Sequence, residues 1–181
     1  VQFTDQSTNN PASWSWNFGD GSTSTSQSPS HTYSTAGTYT VSLTATNSAG
    51  SDIETKSNYI KVNPVVKATL TTNAVMLITS TTAESGGNIS SDGGGPITER
   101  GVCWNTSGDP TILNARTING TGTGSFTSNL TGLFDGTTYF VRAYAINGAG
   151  TAYGEEYSFI TPVTDKEGNV YKTVKIGSQV W

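Results

Sequence analysis

The chain has 181 residues, of which 12% are charged, and a formal net charge of -4. Its nine Lys and Arg are scattered singly and form no basic stripe, which argues against a nucleic-acid partner, and no window approaches 18 consecutive apolar residues, which argues against membrane insertion by a helix. The 21 glycines and abundant Ser and Thr starve helices and suit strands and turns, and the single cysteine, Cys103, excludes an intramolecular disulfide and a cysteine-built metal centre.

From Val1 the sequence alternates apolar and polar residues through Phe3, then enters the turn-rich DQSTNNPAS. Trp14, Trp16 and Phe18 follow at period two, so they share one face of one strand and are expected in a core. GTYTVSLTATNSAG places Tyr39, Val41, Leu43 and Ala45 on one side and hydroxyl residues on the other, the pattern of a half-buried antiparallel strand ending in a turn. NYIKV closes the first unit, because Asn63 and Pro64 end a ladder that proline cannot donate to.

A second unit begins near Val66. Strand-like segments recur in it as KATLTT, VMLITSTTAE, ITERGVCWN, GSFTSNL, TTYFVRAYAIN and YSFIT, separated by glycine-rich turns such as SSDGGGP. GTYTVSLTATNSAGS and GTTYFVRAYAINGAGT repeat one pattern of glycine, tyrosine, alternating apolar positions, asparagine and a closing Ala-Gly, which predicts two related sandwiches in tandem. After Pro162, KEGN reads as a hairpin turn and VYKTVKI as a strand, and a tail of this length cannot bury a core by itself. The expected fold is therefore all-β: an immunoglobulin-like sandwich over residues 1–63, a linker at 64–65, a second sandwich over 66–161 and a pairing tail at 162–181. The start at Val1, without a methionine or leader, is read as an excerpt of a longer processed protein.

WSWNFGDGSTSTSQSPSHTYSTAGTYTVSLTATNSAG resembles a PKD domain, an immunoglobulin-like sandwich marked by W-x-F-G-D-G, then H-x-Y, then G-x-Y-x-V. The resemblance covers residues 1–63, and compared with such domains the first strand before VQFTD is cut short. Residues 66–161 resemble fibronectin type III-like modules repeated in large surface proteins of the Bacteroidetes, and the Leu133 to Tyr139 spacing fits a tyrosine corner. TDKEGNVYKTVKIGSQVW is similar to the opening of the Fibrobacter succinogenes major paralogous domain. These resemblances imply extracellular or cell-surface modules without catalytic activity.

Few residues offer chemistry. Asp20, between two glycines, is read as the pivot of an Asx-turn, with a calcium site built from Asp20, Asp5 and Asn17 as the alternative; no other cofactor is expected. His31, the only histidine, has no nucleophile to activate, Cys103 is read as a small apolar strand residue, and Glu155 and Glu156 are adjacent rather than facing. Asn88, Asn105, Asn119 and Asn129 lie in N-x-S/T sequons. With Tyr139, Val141, Ala143 and Ala145 assigned to the core, Phe140, Tyr144 and Ile146 fall on the opposite face, an interaction surface that something must cover. Three functions follow as expectations: a structural or adhesion stalk, a subunit of a filament assembled by strand addition, or a polysaccharide-binding accessory module. Partners are correspondingly protein, through self-assembly or neighbouring domains, or cell-surface polysaccharide.

Overall fold

The computed structural model describes residues 1–165, 167, 169–171, 175–176 and 179–180. Among them the chain is all-β, two sandwiches in tandem followed by two short two-stranded pairings, and it divides into compact units Val1–Pro64 and Val65–Trp181. Among the described residues no helix is long and apolar enough to cross a membrane.

In unit 1, strands β1 (Ser13–Asn17), β2 (Thr23–Ser24), β3 (Gly37–Asn47) and β4 (Gly50–Val62) form one antiparallel sheet in the order β2-β1-β3-β4. The period-two aromatics set its core face. Trp16 and Phe18 are buried and Trp14 half-buried, while Ser15 and Asn17 between them are exposed. Facing this sheet is a narrow second layer, the stretch from Val1 to Phe3, joined to Pro29–His31 by a bridge between Gln2 and Ser30. Phe3, Trp16, Phe18 and Val41 form the core, with Phe3 centred 5.5 Å from Trp16 and 5.2 Å from Phe18. Burying each phenylalanine contributes about 2 kcal/mol.

Unit 2 has two full sheets. One is β5 (Thr69–Thr72), β6 (Thr82–Ser91) and β9 (Gly124–Thr131). The other runs β11 (Gly150–Tyr153), β10 (Thr138–Asn147), β7 (Glu99–Asn105) and β8 (Ala115–Arg116), with β12 (Tyr157–Ile160) also paired to β10. Their inner faces meet through residues such as Leu70, Ile89, Phe126 and Leu130 on one side and Val102, Val141 and Ala143 on the other. VMLITSTTAE reads as one strand in sequence, but β6 starts only at Thr82. Leu77 takes a left-handed φ of +50° and a turn tied by Thr79 and Thr82 breaks the run, leaving Met76 with a single bridge to Glu84. Gly86 and Gly87, missed as strand residues, sit buried inside β6, where a Cβ would meet the Phe126 carbonyl or the Ala143 methyl.

Beyond Pro162, Val163–Thr164 (β13) pairs with Val170–Tyr171 (β14) across a turn in which Asp165 accepts hydrogen bonds from the Glu167 and Asn169 amides. Lys175–Ile176 (β15) pairs with Gln179–Val180 (β16). The expected VYKTVKI strand falls partly on Lys172–Val174, which lie outside the described residues.

Candidate functional site

Phe18 ends the aromatic face of β1, and the chain then turns tightly through Gly19 and Gly21, which both adopt positive φ. Asp20 between them accepts the Ser22 N-H on Oδ1 at 3.0 Å, the Asx-turn its neighbours predict. Its second oxygen lies 2.7 Å from His31 Nε2. The hydrogen bond with His31, and then that from Ser22, hold the Asp20 carboxyl below its ordinary range. His31 also stacks flat on Phe18, with centroids 4.2 Å apart, and meets Tyr33 edge-on at 4.6 Å. Tyr33 in turn donates its hydroxyl to the Phe18 carbonyl. The sequence motifs W-x-F-G-D-G and H-x-Y thus form one clamp between the sheet and its second layer. The Asp20–His31 contact within it was missed in the sequence because 10 residues separate the two and only the fold closes the loop.

Asp5 and Asn17, the other two residues of the calcium reading, are each engaged locally. Asp5 accepts the Ser7 amide, the Trp14 indole N-H at 2.8 Å and the Gln27 side-chain amide. These bonds, Ser7 first, lower its pKa to about 2. Asn17 accepts the Gly19 amide. Each of the three side chains therefore caps its own turn, and an ion at Asp5, Asn17 and Asp20 would have to displace backbone or indole donors. Among the described residues no group of three His, Cys, Asp or Glu is arranged to hold a metal.

The expected interaction surface on β10 needs correction. Tyr144 is wholly buried, its single hydroxyl proton shared between two acceptors in reach, the Thr117 carbonyl at 2.7 Å and the Glu99 carboxylate at 2.8 Å. Burial, and then Glu99, push its pKa up. Phe140 and Ile146 are half-buried. The Tyr144 ring lies against Gly101 of neighbouring β7, where a Cβ would come 3.0 Å from it, and its hydroxyl reaches Thr117 beyond β8, contacts between distant segments that alternation along one strand cannot reveal. Arg142 on the Tyr144 face donates to the Gly154 carbonyl and lies over the Tyr153 ring.

The remaining candidates are also occupied structurally. Cys103 is fully buried in β7, and burial raises its pKa to about 11, so it is a thiol against the Pro110 and Arg142 carbonyls. Glu155 accepts the Thr72 amide and Glu156 the Asp109 amide. Tyr139 forms the expected corner: buried, its hydroxyl accepts the Phe134 amide at 3.0 Å. Unit 1 has a counterpart, since Tyr39 donates to the Thr35 carbonyl at 2.7 Å.

Comparison with known proteins agrees with this reading of unit 1. The PKD domain family matches residues 1–62. No curated protein matches the chain. Among solved structures, the short sensor domain of the anti-sigma factor RsgI4 of Pseudobacteroides cellulosolvens is 16% identical with a TM-score of 0.40, over 54% of this chain and 97% of that one. Domains A168–A170 of titin are 17% identical with a TM-score of 0.40, over 82% of this chain and 53% of that one. The FN1–FN3 domains of chicken CNTN1 are 16% identical with a TM-score of 0.41, over 82% and 52%. The fold itself stands on the sheets described above, and the amino-terminal unit, with its W-x-F-G-D-G turn clamped by His31, is similar to PKD domains.

Proposed function

We propose that the chain is a non-catalytic tandem of β-sandwich modules, the second fibronectin type III-like, that serves as a structural or adhesion segment of an extracellular or cell-surface protein. The observation that carries this is the use made of the reactive side chains. Asp5, Asp20, His31, Cys103, Tyr144 and Glu155 all bond to backbone or to each other, holding turns and layers together. A second feature supports a mechanical role. Both units lock the same long hairpin by a tyrosine tied to the preceding loop and an asparagine at its turn: Asn47 accepts the Ala49 amide and Asn147 the Ala149 amide. The same asparagines also bond across the unit, Asn47 to the Asn9 carbonyl and Asn147 to the Val66 and Asp92 carbonyls, linking residues distant in the chain that unfolding must separate.

Stretching single molecules of the full chain tests this. Two separate force-resisting events are expected, releasing about 220 Å for unit 1 and about 340 Å for residues 65–162, at roughly 3.5 Å per residue. Extension without a resisting event in either unit would overturn the mechanical role.

A further inference from the structure

Strand β7 ends at Asn105 and β8 begins at Ala115, and the loop between them is tied down at both ends. Asn105 holds its start, donating to the Gly108 carbonyl and accepting the Ser107 and Gly108 amides. Asn114 holds its end by accepting the Thr111 amide, and the Tyr153 hydroxyl accepts the Ile112 amide. Between these ties stands the single Asp-Pro pair of the sequence, Asp109 and Pro110. Pro110 is fully buried, its carbonyl facing the Cys103 thiol. The Asp109 side chain, by contrast, is 97% exposed.

Only the amide of Asp109 is held, by the Glu156 carboxylate. The Arg142 guanidinium, 3.8 Å from its Oδ1, lies beyond hydrogen-bond distance. Among the described residues no hydrogen bond is made to the Asp109 carboxylate or to its main-chain carbonyl. The backbone here is strained. Proline crowds the residue before it and steers that residue to a φ of about −120°. Asp109 instead has a φ of +45°. The Glu156 bond and the flanking asparagines hold this turn, and its strain is released when the peptide bond to Pro110 opens.

We propose that the Asp109–Pro110 peptide bond is a self-cleavage site of the folded unit. The Asp109 carboxylate attacks its own main-chain carbonyl carbon and closes a cyclic anhydride. As that C–O bond forms, the C–N bond to Pro110 breaks, and its electron pair passes to the proline nitrogen, which takes a proton from solvent acid and leaves as a secondary amine. Water then opens the anhydride, its oxygen going to one of the two carbonyl carbons, and Asp109 ends with free α- and γ-carboxyls. Proline suits the leaving position because its nitrogen belongs to a tertiary amide, more basic than an ordinary peptide nitrogen. The fold keeps the turn strained and the carboxylate free to rotate onto the carbonyl, an arrangement that an unfolded chain relaxes. Glu156 is a positioning residue, acting through the Asp109 amide. The cut falls between β7 and β8, and the two sides share one core: Val102 and Trp104 from one, Val141 and Ala143 from the other. The nicked unit therefore stays together until it is denatured. This single-turnover step goes beyond the structural-module reading and does not rest on it.

The test holds the full chain in mildly acidic buffer enriched in oxygen-18 water, with and without urea, and weighs the products by mass spectrometry after denaturation. Fragments 1–109 and 110–181 are expected, forming at least tenfold faster from the folded than from the urea-unfolded chain. The label is expected in both the α- and γ-carboxyls of Asp109. Asp109→Asn should slow the folded reaction at least tenfold. Glu156→Ala should lower it to the unfolded rate, and Glu156→Gln, which keeps an acceptor for the Asp109 amide, should restore most of it, with amide spectra reporting that each variant is folded. The absence of these fragments from the folded chain, equal rates with and without urea, or label confined to the α-carboxyl, as direct hydrolysis leaves it, would each overturn the proposal.

Discussion

Unit 1 and unit 2 repeat one hairpin, yet differ in how that hairpin is covered. In unit 2, β5, β6 and β9 cover the core side of β10, and on its other side Tyr144 is wholly buried, its ring against Gly101 and its hydroxyl on the Thr117 carbonyl. Six of the ten residues of β10 are buried, among them Val141, Ala143 and Ala145 with no measurable exposure. In unit 1 only Val41 of the eleven residues of β3 is buried, and β4 is exposed along most of its length. The same sequence pattern is therefore mostly buried in one place and mostly half-buried in the other. Burial is a property of the second layer, and β3 cannot supply that layer itself.

If that comparison is right, equivalent truncations should cost unequal amounts. Leu130→Ala in unit 2, at a fully buried site, is expected to destabilise by about 3 kcal/mol, whereas Leu43→Ala in half-buried β3 should cost about 1 kcal/mol. Urea unfolding followed for each unit separately checks this, and equal losses would break the contrast. The turn asparagines sharpen it. Asn147 is buried and donates to the Val66 and Asp92 carbonyls, so Asn147→Ala should cost about 2 kcal/mol, while half-buried Asn47, whose bond to the Asn9 carbonyl is exposed, should cost about 0.5 kcal/mol in the same assay. The tyrosine ties come next. Tyr139→Phe strands the Phe134 amide in a partly buried site and is expected to lose about 1 kcal/mol; Tyr39→Phe, at a more exposed bond, should lose less than half of that in thermal melts.

Acid separates the units by a different route. The Asp5 carboxyl titrates near 2 in folded unit 1 against an ordinary 3.8, and that of Asp20 is also lowered. A depressed carboxylate pKa contributes stability above the unfolded value, and that stability is lost as pH falls through the folded one. Unit 1 should thus weaken between pH 4 and pH 2, the window set by those two Asp5 values. Asp5→Asn should flatten that dependence, and an unchanged acid profile of tryptophan fluorescence would show that the Trp14 and Gln27 bonds to Asp5 do not hold the loop. This is the smallest of the expected effects, because Asp5 is near the surface and screened.

Much of this was legible in the chain. The period-two aromatics of β1, the Asx-turn at Asp20 flanked by Gly19 and Gly21, the Tyr139 corner and the all-β character of the described residues follow from local rules of side-chain direction, glycine conformation and turn hydrogen bonding. What failed to read was non-local. Gly86 and Gly87 look like loop residues until Phe126 and Ala143 approach them. Tyr144 looks exposed until Thr117 and Glu99 take its hydroxyl, and Asp20 looks like a lone turn residue until His31 reaches it. The sequence by itself determined which residues face together along each strand, because that periodicity is built into the backbone. Only the tertiary structure decided which of those faces are covered and which remain open, because cover comes from segments distant in the chain whose approach no local pattern encodes.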